Sequence, residues 1–338
     1  MKHWLNGIVL AASIIYSAAL LGFLALQRTS GEGLWWVRLA ADFLPYLFLP
    51  LLVLLPLAVL SGSTRAGVVV CVPGLIFLLL YGYRFLPRWA RTSHHSGRTL
   101  TVMSYNVTMG FPGVDQILSI IESKDPDVIA LQELSPQVAE ALSELDERYP
   151  YQSLYSQPVC CAGSGVLSRF PILHNEAFPL IEDGHFYQHL LLDIEGKPLH
   201  LLNVHPKPPQ VGGPWWGGSL LFIPTGYDAT ARDQELDRLI EQLDGLDGTV
   251  VVLGDFNMTD QSAGYKKLTR RLNDAYREVG WGLGHTFPDV EKVGPIPVPF
   301  PLVRIDYVFH SRDLTAVRAT VGANGGPDHR YLFAELSF

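Results

Sequence analysis

The sequence contains little cysteine, and its cysteines are not spaced for zinc binding or redox chemistry. Among 338 residues there are only Cys71, in an apolar run, and the adjacent Cys160 and Cys161. No CxxC motif occurs, and neighbouring cysteines rarely bridge each other because the geometry is strained. We therefore expect three ordinary, unbridged cysteines with no role in the chemistry.

The first 98 residues are poor in charged side chains. Runs of Leu, Val, Ile, Ala and Phe are interrupted there by eight basic residues and two acidic ones, Glu32 and Asp42. Three runs have about the 20 helical residues needed to cross a hydrocarbon core: Leu5 to Leu26, Phe43 to Leu60 and Ala66 to Tyr83. A helical bundle buried in a soluble protein would leave too much apolar surface for the rest of the chain to cover.

These runs predict a three-span transmembrane region over residues 1–83, a basic linker over 84–99 and a globular domain over 100–338. A cleaved signal peptide is disfavoured for the first run, because it has no small-residue cleavage site and two further spans follow. The basic cluster Arg84, Arg88, Arg91 and Arg98 follows the third span. Positive-inside counting alone would place the globular domain in the cytoplasm.

The globular domain lacks the positive charge of a nonspecific nucleic-acid binder. The first 98 residues carry +6, so the net charge of −8 leaves −14 for residues 99–338. An acidic domain repels polyanions at long range. A phosphorylated substrate that is neutralised by a bound metal ion is still compatible with this charge.

The globular domain has no internal repeat and no low-complexity tract, and it alternates strand-like with helix-like segments. The apolar runs predict strands at Leu100–Tyr105, Val128–Leu131, Gly165–Leu167, Leu199–Val204, Val250–Leu253 and Ile305–Phe309. Apolar spacing of a helical kind occurs at Val114–Ser123, Pro136–Leu145 and Arg232–Leu243. The fold class is therefore α/β or α+β.

Polar side chains recur where these strands end, and together they predict a single site. They are Asn106, Glu133, His205, Asp255 with Asn257, Asp306, and Asp328 with His329. Each alone is more typical of a turn, a helix cap or an ordinary surface residue. The strongest is the pair in the apolar run VVVLGDFN, because side chains two residues apart on a strand share one face. Magnesium prefers hard oxygen ligands, which Glu133 and Asn106 could supply.

The ordered set of motifs resembles the endonuclease/exonuclease/phosphatase superfamily, in a bacterial branch with three N-terminal membrane spans. The resemblance covers Leu100 to Phe338. It implies an α+β, four-layer sandwich of two mostly antiparallel sheets flanked by helices. It also implies a phosphoric ester hydrolase that depends on Mg²⁺ or Mn²⁺. By this analogy the chain lies in the bacterial cytoplasmic membrane with its catalytic domain outside the cytoplasm, against the charge count, and the side is left open.

The resemblance also implies roles for individual residues. Glu133 would bind the metal ion, helped by Asn106 and with Asp328 assisting. The attacking water would be oriented and deprotonated by Asp255 and Asn257. The phosphoryl group would be stabilised by His329 paired with Asp306, and His205 would lie near the leaving group.

Two further motifs bear on the site. Arg169, in GVLSRFPI, lies in a segment that resembles a common strand of these enzymes and is a candidate for substrate binding, although a structural turn would explain it equally. The residue before Asp328 is Pro327, where the family usually has a small hydroxyl residue. That difference affects the hydrogen bonding of the loop but keeps the Asp-His pair.

Two apolar loops next to the site favour a lipid substrate. VGGPWWGGSLLFIPTGYD follows His205, with Trp215 and Trp216 as candidate substrate contacts, and VGPIPVPFPLV precedes Asp306. Exposed loops of this kind enter bilayer interfaces, whereas buried ones belong to the core. We expect a lipid phosphate, phosphodiester or diphosphate as substrate and the bilayer as partner. The alternatives are a metal-dependent nuclease and a non-catalytic membrane scaffold, and the sequence does not predict the oligomeric state.

Overall fold

The computed structural model of the chain comprises two compact units, Met1–Pro87 and Arg88–Phe338. It describes residues 2–86, 98–110, 113–158, 161–216, 221–290, 292–293, 296–298, 300–322 and 328–338. The first unit is helical, and the second contains all of the described strands. Each unit is described separately below.

The first unit consists of helices α1 (Lys2–Ser30), α2 (Trp35–Asp42), α3 (Leu51–Ser61) and α4 (Thr64–Tyr81), with 3-10 turns at Leu44–Phe48 and Gly82–Phe85. Three segments are long and apolar enough to cross a membrane: His3–Ser30, Leu44–Ser61 and Thr64–Phe85. They match the three expected spans. Helix α2 was not expected, and the second span is a 3-10 turn followed by a short α-helix.

Apolar packing and a tight turn organise this unit. Helix α4 packs on both α1 and α3, and the Ser17 hydroxyl of α1 donates to the Val69 carbonyl oxygen of α4 at 3.3 Å. Gly62 ends α3 with a left-handed φ of 71°, a conformation that glycine adopts without a side-chain clash. Ser63 then caps α4 by accepting from the Ala66 amide.

In the part of the second unit that the structure describes there are many short strands and five α-helices. The helices are α5 (Val114–Lys124), α6 (Pro136–Ser143), α7 (Thr230–Asp244), α8 (Ala263–Leu268) and α9 (Ala275–Val279). The described strands, in chain order, are β1 Thr99–Asn106, β2 Val128–Gln132, β3 Tyr151–Tyr155, β4 Ser164–Ser168, β5 Ile172–Pro179, β6 Phe186–Ile194, β7 Lys197–Val204, β8 Gln210–Gly212, β9 Trp215–Trp216, β10 Leu221–Phe222, β11 Gly226–Asp228, β12 Thr249–Asp255, β13 Asn273–Asp274, β14 Lys292–Val293, β15 Ile296–Pro297, β16 Asp306–His310, β17 Thr315–Val321 and β18 Leu332–Ser337.

Two six-stranded sheets form the centre of this unit. Their strand orders are β17-β18-β1-β2-β4-β3 and β13-β16-β12-β7-β6-β5, with small hairpins at β8/β11, β9/β10 and β14/β15. Within the described residues, parallel pairing in the sheets is confined to β1 with β2 and β7 with β12. The sheets are therefore mixed and mostly antiparallel, as expected.

The packing of the core explains the four layers. Side chains such as Val102, Leu201 and Val251 fill the space between the sheets. The opposite face of the first sheet packs on α5 and α6, and that of the second sheet packs on α7. Because neighbouring residues of a strand point to opposite faces, strands with apolar residues on both faces are buried on both sides.

All six expected strands and three expected helices of the globular domain are present, with bounds that differ by a few residues. Strands β3, β5, β6, β17 and β18 were missed. Most of these mix polar with apolar residues, because they lie at or next to a sheet edge, and β5 has exposed residues along much of its length. Alternation interrupted by exposed polar positions gives a weaker signal than a continuous apolar run.

Candidate active site

The strand ends converge as the sequence predicts. Parallel strands β1 and β2 end at the same edge, with Asn106 the last residue of β1 and Glu133 directly after β2. Parallel strands β7 and β12 likewise end together, with His205 directly after β7 and Asp255 the last residue of β12. In the antiparallel neighbour β16, Asp306 is the direct partner of Asp255. The segment before β18 supplies His329, so one edge of the sandwich gathers side chains from both sheets.

Asn106 connects the two sheets. Its Nδ2 donates to Glu133 Oε1 at 3.0 Å and to Asp255 Oδ2 at 3.1 Å, and its Oδ1 accepts from the Thr108 amide at 3.0 Å. The side chain is fully buried. An amide that is bonded at both ends fixes the spacing of the two carboxylates.

Asp255 is buried, with 1% of its surface exposed, and has little compensating positive charge. Among the described residues its ion-pair partners are His205 and His329, whose Nε2 atoms each lie 3.6 Å from Oδ2. Burial, and then the neighbouring Asp306, outweigh His329 and the hydrogen bonds and raise the pKa of Asp255 to about 7. A carboxyl group of this kind exchanges protons near neutral pH.

The backbone around Asp255 requires a glycine and a left-handed residue. Gly254 has a φ of 153°, and a Cβ atom there would lie 1.9 Å from the Val204 carbonyl oxygen. The expectation that Asp255 and Asn257 share a strand face is wrong, because β12 ends at Asp255 and Asn257 has a φ of 49°. Instead, Asp255 Oδ1 accepts from the Asn257 amide at 2.9 Å, and Asn257 Nδ2 donates to the Pro206 carbonyl at 2.9 Å.

His329 is held between two carboxylates. Its Nδ1 lies 3.0 Å from Asp306 Oδ2, and its Nε2 faces Asp255. The ring of Phe287 lies 4.7 Å from the His329 ring, and the Thr286 hydroxyl accepts from the Asp306 amide. Burial opposes the charged imidazolium, but Asp306 and Asp255 outweigh it and raise the pKa of His329 to about 10. His329 is therefore cationic at neutral pH.

His205 differs from His329 in protonation. Burial, followed by the nearby histidines, lowers its pKa well below the usual value, so the imidazole is neutral. Its Nδ1 lies 3.1 Å from the Cys161 carbonyl oxygen, which can only accept, so the proton is on Nδ1. Its Nε2 is an acceptor that faces Glu133 Oε1 at 3.8 Å and Asp255 Oδ2.

Cys161 itself is disulfide-bonded, whereas Cys71 is free. The expectation of three unbridged cysteines is therefore wrong for Cys161, and Cys160 lies outside the described residues. Cys161 belongs to the site through its carbonyl oxygen.

Asp328 and Glu133 complete the acidic side of the site. The Thr108 hydroxyl donates to Asp328 Oδ1. Glu133 has a left-handed φ of 56°, and burial raises its pKa. Left-handed backbone at non-glycine residues is uncommon and clusters at functional sites.

The donors present fit a hard divalent cation. Glu133 Oε1, Asp255 Oδ2 and the neutral His205 Nε2 are acceptors that converge, and Asn106 and His329 are donors near them. Asp255, Asp306 and His329 also place ligand atoms within 4.8 Å of one another. Because a protonated histidine only donates, we attribute that second group to an internal ion network. Carboxylate oxygens are the ligands that Mg²⁺ and Mn²⁺ prefer.

One predicted substrate contact lies away from the other site residues, and the side chains of two others are not described. Arg169 follows the end of β4 that pairs with the start of β2, and there it forms ion pairs with Asp125 and Asp127. Glu133 follows the opposite end of β2. Its role there is structural. Nothing is described of the side chains of Trp215 and Trp216, and Pro327 also lies outside the described residues.

The sequence analysis missed two charged side chains of α7 that support the site loops. The buried Arg232 donates to the Asn257 carbonyl oxygen at 2.8 Å, and Glu235 accepts from the Lys207 amide at 2.6 Å. Burial raises the pKa of Glu235. Both residues lie on the helix face that carries Leu236 and Leu239. Charged residues within an apolar helical stripe were the available signal.

His185 is a third residue that was missed. Its ring lies 4.7 Å from the His205 ring, and its Nδ1 donates to the His205 carbonyl oxygen at 3.0 Å. Burial lowers the pKa of His185. It begins no apolar run and ends no predicted strand, so no pattern in the sequence selects it.

Comparison with known proteins identifies the family. The Endonuclease/Exonuclease/phosphatase family matches residues 103–334, which is more than half of the chain. This chain belongs to the endonuclease/exonuclease/phosphatase family. No curated protein matches the sequence.

Solved structures share the fold of the second unit. A family protein from Bacteroides vulgatus is 16% identical, with a TM-score of 0.56 over 71% of this chain and 99% of that one. D. rerio TDP2, solved with a single-strand DNA product, is 17% identical, with a TM-score of 0.57 and the same coverage. A mannosyl-6-phosphatase from Bacteroides thetaiotaomicron is 19% identical, with a TM-score of 0.51 over 71% of this chain and 100% of that one. Members of the family hydrolyse phosphoester bonds and generally use divalent metals.

Proposed function

We propose that this family member is a membrane-anchored, Mg²⁺- or Mn²⁺-dependent hydrolase of a phosphoester or diphosphate in a membrane lipid. The observation that carries the hydrolytic part is the buried Asp255, whose raised pKa lies near neutrality, beside the cationic His329. A base and a charge-stabilising cation side by side are what an in-line attack on phosphorus needs.

Each site residue has a separate proposed role. Glu133 and Asp328 would hold the metal ion, which supplies Lewis-acid polarisation of the phosphoryl oxygens. Asn106, which the resemblance implies as a further ligand, instead presents its Nδ2 to Glu133 and Asp255 and would set their spacing. Asp255, fixed by Asn106 and the Asn257 amide, accepts the proton of the attacking water. Asn257 orients that water. His329, kept protonated by Asp306, donates to a phosphoryl oxygen as negative charge develops there.

The role of His205 in this scheme differs from the one that the resemblance implies. A neutral imidazole with its proton on Nδ1 has no proton at Nε2 to give to a leaving group. Its Nε2 lies 3.6 Å from Asp255 Oδ2, which supports an acceptor role on the side of the metal ion and the attacking water. His185, which packs on it, would hold the ring in this orientation.

Exposed apolar side chains support a lipid substrate. Val211 and Ile223 lie between His205 and α7, and Trp281 and Phe300 lie between α9 and Asp306; their exposed fractions are 41%, 40%, 67% and 54%. Single exposed apolar residues are common. Here they occur on the two segments that lead from site residues, in a chain with three apolar helices and an acidic catalytic unit.

The disulfide of Cys161 supports a position outside the cytoplasm. Disulfides persist in oxidising compartments and are rare in the cytosol. Protease added to intact spheroplasts should therefore cleave the catalytic unit without permeabilisation. Cleavage that requires permeabilisation would place the unit in the cytoplasm, as the arginine cluster after the third span predicts.

A substrate panel tests the reaction class. Full-length protein in detergent would be incubated with Mg²⁺ and isoprenyl diphosphate, phospholipid or plasmid DNA, in parallel with Asp255→Ala and the control Asp237→Asn. Asp237 is an exposed carboxylate of α7, at 54%. We expect lipid turnover in the wild type and the control and none in Asp255→Ala. DNA cleavage alone would establish a nuclease. No turnover of any substrate would favour the alternative of a non-catalytic membrane scaffold.

Phe300→Ser tests the lipid contact separately. It should slow hydrolysis of the lipid substrate in vesicles but leave hydrolysis of a short-chain, soluble analogue unchanged. Leu173→Ser is the matched control, because Leu173 is similarly exposed, at 60%, on β5. An equal effect of both variants would argue against a specific contact with lipid at Phe300.

A further inference from the structure

A second group of metal-ligating side chains lies on the outer face of the second sheet, away from the catalytic strand ends. It consists of His174 and Glu176 on β5, His189 on β6 and His200 on β7, and we call it the histidine face. His200 on β7 lies five residues before His205, which directly follows that strand. At about 3.3 Å per residue the two are roughly 16 Å apart.

The strand register brings these four side chains to one face. Glu176 is the direct partner of His189 across β5 and β6, and His174 and Glu176 are two residues apart on β5. Across β6 and β7, His189 is the direct partner of Leu202, and His200 is the direct partner of Leu191. The two histidines are therefore diagonal neighbours on the same face of the sheet. Their neighbours Leu190 and Leu201 point the other way, into the core between the sheets.

The contacts form two adjoining pairs. His189 Nε2 lies 2.9 Å from His200 Nδ1, and His174 Nε2 lies 2.8 Å from Glu176 Oε1. The rings of His174 and His189 are 6.4 Å apart and nearly perpendicular. Burial, and then His200, lower the pKa of His189, which keeps that imidazole neutral and available as a ligand.

We propose that the histidine face binds a first-row transition cation of the Zn²⁺ class, separately from the catalytic metal ion. Imidazole nitrogens with one carboxylate are a typical zinc ligand set, and hard Mg²⁺ does not favour it. Three neighbouring antiparallel strands supply the ligands, so the site is built on rigid backbone. The mechanism above uses none of these four residues.

Closing the site requires the His174–Glu176 pair to turn toward the His189–His200 pair. With Zn–N bonds of about 2.0–2.1 Å in tetrahedral geometry, two ligand nitrogens lie roughly 3.3 Å apart. The His189–His200 pair therefore opens slightly as the cation takes the place of the hydrogen between them, and the displaced proton moves through solvent to the other ring nitrogen of the imidazole that carried it. His174 and Glu176 are each 51% exposed, so they can turn toward the pair without disturbing the core.

Zinc titration of the full-length protein tests this proposal. Isothermal titration with Zn²⁺, in detergent and with saturating Mg²⁺, would compare the wild type with His189→Gln/His200→Gln. Asn175→Ala is the control on β5, because that side chain is also exposed but points to the opposite face. We expect one Zn²⁺ binding event to be lost in the histidine variant, or weakened at least roughly tenfold, and retained in the control.

Two further arms separate the possible failures. His174→Gln/Glu176→Gln changes only half-exposed side chains, so it should weaken the same binding event without affecting folding. Glu133→Gln should abolish turnover but leave this event intact, which separates the histidine face from the catalytic site. EPR of Cu²⁺ bound to the wild type should show coupling to at least two imidazole nitrogens that is lost in the histidine variant. Unchanged Zn²⁺ stoichiometry and affinity in both histidine-face variants would overturn the proposal.

Discussion

Two aspartates of the second sheet are equally buried but have opposite electrostatic environments. Asp255 ends β12 and Asp274 lies on β13, and they are 1% and 4% exposed. Arg304 Nη1 and Nη2 donate to both carboxylate oxygens of Asp274, at 3.0 and 2.6 Å. Burial alone would raise the pKa of Asp274, but the Arg304 guanidinium holds it below its usual value. The pKa of Asp255 is raised to about 7.

The difference shows which carboxylate serves the fold and which serves the chemistry. A buried carboxylate with a bidentate guanidinium is satisfied internally and contributes to a single folded state. Among the described residues, the ion-pair partners of Asp255 are histidines. Part of the desolvation cost of this buried carboxylate is therefore not compensated. Such a cost is expected at functional sites, where an incoming cation or proton completes the environment.

The largest expected effect is on turnover by Asp255→Asn. The amide cannot accept the proton of the attacking water, so the rate should fall by about a thousandfold, within the range for loss of a general base. In the absence of divalent metal the same variant should unfold at a higher temperature, because a buried charge has been removed. Kinetics and calorimetry check the two parts. A loss of activity with a loss of stability would mean that Asp255 is structural, like Asp274.

At Asp274 we expect a loss of stability when the partner of the buried carboxylate is removed. Arg304→Met leaves Asp274 buried without its partner and should lower the free energy of unfolding by about 3–5 kcal/mol. Thermal unfolding measures the loss, and adding Asp274→Asn should recover part of it. Arg271→Met is the matched control, because Arg271 pairs with Asp244 through two contacts on the exposed surface. An equal effect of Arg271→Met would contradict the distinction between buried and exposed pairs.

His285 should make the folded state sensitive to acid. Burial lowers its pKa from 6.5 to about 4, and its Nδ1 donates to the Pro301 carbonyl oxygen at 3.1 Å. Only the unfolded chain takes up this proton between those pH values, so stability is fully present above pH 6.5 and falls toward pH 4. The loss from this group is about 3 kcal/mol. His285→Asn, which keeps an N–H donor, should flatten the fall in unfolding temperature between pH 7 and 4.5, and an unchanged slope would exclude His285 as its source.

A smaller effect is expected at Glu235, which supports the site without entering it. Glu235→Gln weakens the acceptor for the Lys207 amide and should lower turnover by about tenfold, as for residues that orient catalytic groups. The KM should change little, because the substrate itself is not contacted. Glu241→Gln, on the same helix and 63% exposed, is the control. Equal turnover in both variants would remove Glu235 from the positioning residues.

The sequence predicts the site well where a buried strand delivers a polar residue. The runs before Asn106, Glu133, His205 and Asp255 are mostly apolar, and the strands that they form end at a common edge. Contacts made by loops were not predictable: Arg169 has the charge of a phosphate ligand, but the antiparallel pairing of β2 with β4 places it at the far end of the sheet. The histidine face was missed for a related reason, because β5 and β6 mix polar with apolar residues and their register appears only in three dimensions.

The proposed metal site at Glu133 is tested most directly by the effect of Mg²⁺ on thermal unfolding of the chelator-treated, full-length protein. Mg²⁺ is chosen because the histidine face favours softer cations. A cation that binds only the folded state raises its stability in proportion to the logarithm of concentration above the dissociation constant. We expect Mg²⁺ to raise the unfolding temperature of the wild type but not that of Glu133→Gln. An equal rise in both proteins, or no rise in the wild type, would contradict the proposed metal site.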